Sequence, residues 1–75
     1  MTWREMKELM RDRYEVAVEV GSSRNKYWIR KGQLYYPILS FQFDRLLEEG
    51  YINPDYKINR GAGPFGDNLY IYEGR

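Results

Sequence analysis

The 75-residue sequence contains no cysteine and no histidine. Without thiols, disulfides, iron–sulfur clusters, thiolate zinc sites and cysteine nucleophiles have no parts. Without imidazole, the Ser-His-Asp triad, the histidine proton relay and most zinc sites are excluded too, so any catalysis would rest on carboxylates, lysine, tyrosine or serine. No apolar run approaches the ~18 residues of a membrane span. The charged opening Met1-Thr2-Trp3-Arg4-Glu5 does not resemble a secretory signal, so a cytoplasmic setting away from membranes is expected.

What the chain has in quantity is aromatic surface: eight Tyr, three Phe and two Trp. A chain this short buries only about 60–65% of its unfolded surface, and each buried aromatic removes roughly 150–250 Å² from water, so these side chains compensate for a thin core. One domain over residues 1–75 and a folded monomer are the expectation. Net charge is only +1, but its distribution is uneven. Residues 21–40 carry Arg24, Lys26, Arg30 and Lys31 with no acid, whereas residues 41–55 carry Asp44, Glu48, Glu49 and Asp55 against Arg45.

Thr2 and Glu5 have capping-box spacing, which predicts a helix over 3–12 with Trp3, Met6, Met10 and Tyr14 on one stripe and Leu9 at its edge. The period then changes to two: Tyr14, Val16, Val18 and Val20 alternate with Glu15, Ala17 and Glu19, a strand over 14–20. A turn at 21–25 leads to a second strand over 26–30 and a third over 34–38, joined by Lys31-Gly32-Gln33. Pro37 donates no ladder bond, so the third strand ends there or lies at an edge. Ser40 as N-cap, Phe43, Leu46 and Leu47 as core face and Gly50 as left-handed C′ residue predict a second helix over 41–49. Asn53-Pro54-Asp55 reads as a turn, 56–59 as a short strand and 69–72 as a last strand. The fold class is α+β: a small antiparallel sheet of three to five strands, an N-terminal helix and a second helix near 41–49.

Glu15 and Glu19 share a strand face, but at about 13 Å they stand too far apart for paired acid–base chemistry. Asp44, Glu48 and Glu49 on an exposed helix read as solvation and not as a cation site. Gly61-Ala62-Gly63-Pro64-Phe65-Gly66 spells GxGxxG, yet it precedes a strand and not a helix, which makes it a hairpin loop. The expectation is a non-enzymatic chain with no cofactor, no metal and no small-molecule substrate.

The stretch from Arg24 to Lys31 interleaves cations with Tyr27, Trp28 and Ile29. With Tyr27 and Ile29 facing the core, Trp28 and Arg30 share the opposite face with Tyr35 and Ala17. Such a surface holds single-stranded nucleic acid by phosphate contact and base stacking, and Trp and Arg are equally the residues of protein–protein hot spots. A helix packed over that face would instead make Trp28 ordinary core. Phe41 projects with Arg45 and Glu48, away from Phe43, Leu46 and Leu47, and is expected to be exposed. The candidate partner-binding set is Lys26, Trp28, Arg30, Lys31 and Tyr35, with Phe41 and, at the glycine loop, Arg60 and Phe65.

The run Ser40-Phe41-Gln42-Phe43-Asp44-Arg45-Leu46-Leu47-Glu48-Glu49-Gly50-Tyr51-Ile52, followed by a strand, a glycine loop and another strand, resembles the last helix and wing of winged-helix DNA-binding proteins. The resemblance covers under half the chain. It implies Ser40 as cap, Leu46 and Leu47 as core, Gly50-Tyr51-Ile52 as the break into the wing, Arg60 near its tip, and nucleic acid as partner. In size class and composition the chain also resembles the small accessory proteins with which phages disable host machinery, CRISPR inhibitors among them. That likeness implies a protein or nucleoprotein complex as partner.

Overall fold

A computed structural model of the chain describes residues 1–21, 23–58 and 69–75, the side chains of Lys57 and Ile58 excepted. The elements run α1 (Trp3–Leu9), β1 (Glu15–Glu19), β2 (Lys26–Lys31), β3 (Leu34–Ile38), α2 (Ser40–Glu48), β4 (Ile52–Ile58) and β5 (Leu69–Gly74). The strands form one antiparallel sheet in the order β3-β2-β1-β5-β4. The first valine-rich strand is therefore its centre, and β3 and β4 are its two edges. Among the described residues no helix is long and apolar enough to cross a membrane.

Period-two alternation sorts the sheet into two faces. Val16 and Val18 of β1, Ile29 of β2, Ile38 of β3 and Ile52 of β4 join Met6 and Met10 of α1 and Phe43 and Leu46 of α2 in the main core. Both helices therefore cover the same side. Ala17, Leu69 and Ile71 point the other way into a second, smaller cluster against which Trp28 and Tyr35 pack.

The N-terminus is set by the capping box: the Glu5 N–H donates to Thr2 Oγ1 at 3.1 Å and the Thr2 N–H to Glu5 Oε1 at 3.0 Å. The Thr2 N–H, with the Thr2 hydroxyl, holds the Glu5 carboxyl below its ordinary pKa. The helix closes at Leu9, shorter than the apolar stripe suggests, because Met10 leaves helical geometry at φ −92°, ψ 15°. Met10 and Tyr14 still reach the core from the connection that follows. β2 and β3 are joined by two residues with Gly32 at φ 61° in the first turn position, the geometry a type II′ turn requires of glycine.

Three expectations change in the second half of the chain. The cap of α2 is Leu39 and not Ser40, which begins the helix. Leu47 is 36% exposed while Leu46 is fully buried, since only Phe43 and Leu46, with Gln42, turn toward the sheet. β4 starts at Ile52, ahead of the predicted turn. Asn53-Pro54-Asp55 is absorbed as a register shift between Ile52 and Tyr56, where the Asp55 N–H donates to Asn53 Oδ1 at 3.1 Å.

A polar clasp ties the C-terminal residues to Tyr14 and Tyr51. The Tyr14 hydroxyl donates to the Tyr51 carbonyl, which also accepts from the Arg75 N–H at 3.0 Å, and the Gly74 N–H donates to the Tyr14 carbonyl at 3.1 Å. Burial raises the Tyr14 pKa above 10.0, with the Arg75 N–H, which donates to the phenol oxygen, opposing it. Gln42, the buried polar residue among those described, accepts from the Leu39 N–H at 2.8 Å and donates to the Met1 carbonyl.

Candidate functional site

Of the candidate residues on β2 and β3, Lys26, Trp28, Arg30 and Tyr35 fall together on the sheet face away from the helices, whereas alternation puts Lys31 on the other face with Ile29. In register, Glu15 stands opposite Arg30, Ala17 opposite Trp28 and Glu19 opposite Lys26, while Arg30 stands opposite Tyr35 and Trp28 opposite Pro37. The Trp28 and Tyr35 rings meet edge to face at 6.5 Å, and the Arg30 guanidinium lies 5.7 Å from the Tyr35 centroid. Arg30 also pairs with Glu15 at 3.5 Å and donates from Nε to the Gly32 carbonyl at 3.1 Å. Its orientation is thus fixed and its charge partly offset.

Ala17 is fully buried, and Trp28 and Tyr35 are half-buried against it and its neighbours. The centre of this face is therefore a packed cluster and not an open platform. Its accessible part lies at the end nearest the β1–β2 connection. There a cleft of about 440 Å³ opens between that connection and the start of α2, lined by Arg24, Lys26, Trp28, Pro37, Leu39 and Ser40 among others.

The cleft has one cationic wall and one apolar wall. Arg24 and Lys26 are exposed and make no ion pair among the described residues, and no carboxylate lines the opening. Leu39 is 56% exposed, and Phe41, one residue beyond the lining, is 65% exposed, as its helical position predicts. Lys31 sits half-buried at the opposite end of β2 and does not reach the cleft lining. Arg60 and Phe65 lie outside the described residues.

Of the partner-binding residues proposed from the sequence, Lys26 and Trp28 line the cleft, whereas Arg24, Pro37 and Leu39, which also line it, were not among them. Arg24 was visible in the basic run. Pro37 follows from pairing β3 against β2, which puts it opposite Trp28. Leu39 carries a subtler signal, an exposed leucine where a helix start favours Ser, Thr, Asp or Asn.

A second opening of about 560 Å³ lies at the far end of the sheet, bounded by Arg11, Arg13, Arg30 and Arg75 with Glu15 and Glu73. Arg30 is already paired with Glu15 there and Arg11 with Glu8, which leaves a mixed and mutually compensated charge. On α2, Arg45 pairs with Glu49 and stacks 3.9 Å over the Trp3 ring, so it joins the two helices. The chain matches no protein-family model, and no curated protein or solved structure shows significant similarity to it.

Proposed function

We propose that the chain is a non-enzymatic binding module that engages a macromolecular partner through the β1–β2 connection, the β2–β3 surface and the first turn of α2. The observation that carries this reading is the cleft itself. Two cations without an ion pair among the described residues, Arg24 and Lys26, face an apolar wall of Trp28, Pro37 and Leu39, and Phe41 is exposed on the first turn of α2 that follows. Aromatic and cationic residues around a depression are the composition of interaction hot spots, and large apolar side chains left in water are retained where something covers them. Arg30 and Tyr35 support the site by fixing Trp28 from the neighbouring strand positions.

The likeness to small phage inhibitors makes host proteins and nucleoprotein complexes, CRISPR effectors among them, the first partners to try. Affinity capture from the native host, run in parallel with the wild type and a Lys26→Glu/Phe41→Ser variant, tests the proposal. Both substituted side chains are exposed, so the circular dichroism spectrum and melting point should stay near wild type while the captured species disappears. Equal capture by the two proteins overturns the proposal. A nucleic-acid partner, as the winged-helix likeness implies, would show binding that falls steeply with salt and a slope that shrinks when Arg24 and Lys26 are neutralised.

A further inference from the structure

From the cleft we infer the chemistry of the partner: an acidic segment of a protein that inserts one large apolar side chain against Trp28, Pro37 and Leu39 while its carboxylates meet Arg24 and Lys26. The inference rests on the binding-module reading and narrows it.

One observation calls for an anionic partner, and two more favour an acidic polypeptide over a nucleic acid. The cleft is lined by cations and, among the described residues, by no acid, so its charge complement is negative. The cationic track is short, however. Along α2 the exposed surface continues through Asp44 and Glu48, which a long phosphate backbone would have to cross. Beside the cations the accessible surface is largely aliphatic and proline, at Leu39 and Pro37, with Phe41 beyond. Those groups receive a buried side chain, whereas base-stacking sites use successive exposed aromatic faces.

Leu39 points the same way independently. At φ −93°, ψ 159° it occupies the N-cap of α2 and supplies no side-chain cap bond, so a small polar residue would serve the helix better. Yet the leucine is more than half exposed and contributes little packing in return. A position where local preference is broken by an exposed apolar side chain, on the wall of a cleft, is accounted for by contact with a partner.

The test is selection of a displayed random dodecapeptide library on the immobilised wild-type protein. Enriched sequences should place Asp or Glu on either side of Phe, Trp, Leu or Met. The best peptide, synthesised, should shift amide resonances of residues 24–28 and 37–41. Its affinity should fall on the order of tenfold or more for Arg24→Glu/Lys26→Glu and for Leu39→Ser, with melting curves confirming that both variants fold. Failure to enrich, enrichment without acidic residues, or shifts centred elsewhere overturn the inference, as does tighter binding of a random single-stranded 20-mer DNA pool to the same residues. If any of these occurs while the Lys26→Glu/Phe41→Ser variant still loses its native partner, the acidic-segment inference alone falls. If that variant captures as wild type does, the broader reading falls with it.

Discussion

Replacing Leu39 by serine and, separately, by alanine divides what that residue does for the fold from what it does for the surface. Leu39 is 56% exposed, so truncating it forfeits a little under half of the ~2 kcal/mol that complete burial of a leucine contributes, or about 1 kcal/mol. Both variants share that loss. The Leu39 carbonyl already accepts from the Gln42 and Phe43 N–H groups, but its side chain accepts nothing; serine alone can add a side-chain acceptor for the first turn of α2, and this should return ~1 kcal/mol. A domain of this length unfolds with an entropy of about 160 cal/mol/K, so the serine variant should melt roughly 6 °C above the alanine variant and close to wild type. Thermal unfolding followed by circular dichroism at 222 nm, with urea titration to confirm equal m values, measures the difference. The reasoning fails if serine is no more stable than alanine, which would mean that the orphan N–H groups are already satisfied. It fails equally if both variants lose more than about 3 kcal/mol, since Leu39 would then be holding the fold and not facing a partner.

Other expectations follow from the same geometry. Leu46→Ala empties a fully buried position and should cost ~2–5 kcal/mol, a large part of the roughly 4–11 kcal/mol expected for the whole domain, whereas Leu47→Ala opens no closed cavity and should cost under about 1 kcal/mol; equal melting shifts would contradict the helix orientation. Gly74→Ala would bring its new Cβ to 2.6 Å from the Tyr14 ring and 2.7 Å from the Tyr14 carbonyl, so the clasp at Tyr14 must open and the melting temperature must fall. Burial raises the pKa of Tyr14 and Tyr72 above 10.0, so each neutral phenol contributes stability that is intact below pH 10 and lost as pH rises through the folded-state values. Chemical denaturation between pH 9 and 12 should show that decline, and Tyr72→Phe should flatten it.

The first half of the fold was legible because local signals agreed. The Thr2–Glu5 box, the alternation through Val16 and Val18, the glycine in the β2–β3 turn and the proline of β3 each pointed to the element that formed. The second half was harder because two signals conflicted with tertiary structure. Asn53-Pro54-Asp55 has turn chemistry, yet pairing with β5 holds Ile52 in the sheet and accommodates the three residues as an irregularity. Leu46 and Leu47 are equivalent by composition, and only the angle at which α2 meets the sheet decides between them.

The site was legible in part for a related reason. Alternation along β2 put Trp28 and Arg30 on one face, but strand pairing, which a single strand's pattern does not contain, brought Pro37 against Trp28 and the α2 start beside Lys26. The row of rings from Tyr27 through Phe43 and Tyr72 to Tyr56 also depends on pairing, with centroid separations of 4.8, 5.3 and 5.7 Å.

Each outer strand of the sheet contains a proline, Pro37 in β3 and Pro54 in β4. Beyond the two-residue turn the β2–β3 ladder alternates so that Lys31 and Leu34 are hydrogen-bonded partners and Trp28 and Pro37 are not, which aims the missing Pro37 N–H outward. An extra strand docking there would meet no donor at Pro37, and the irregularity around Pro54 interrupts the opposite margin. Both margins thereby carry the breaks that disfavour edge-to-edge stacking of sheets. The protein can display greasy side chains beside a groove without the sheet itself becoming adhesive.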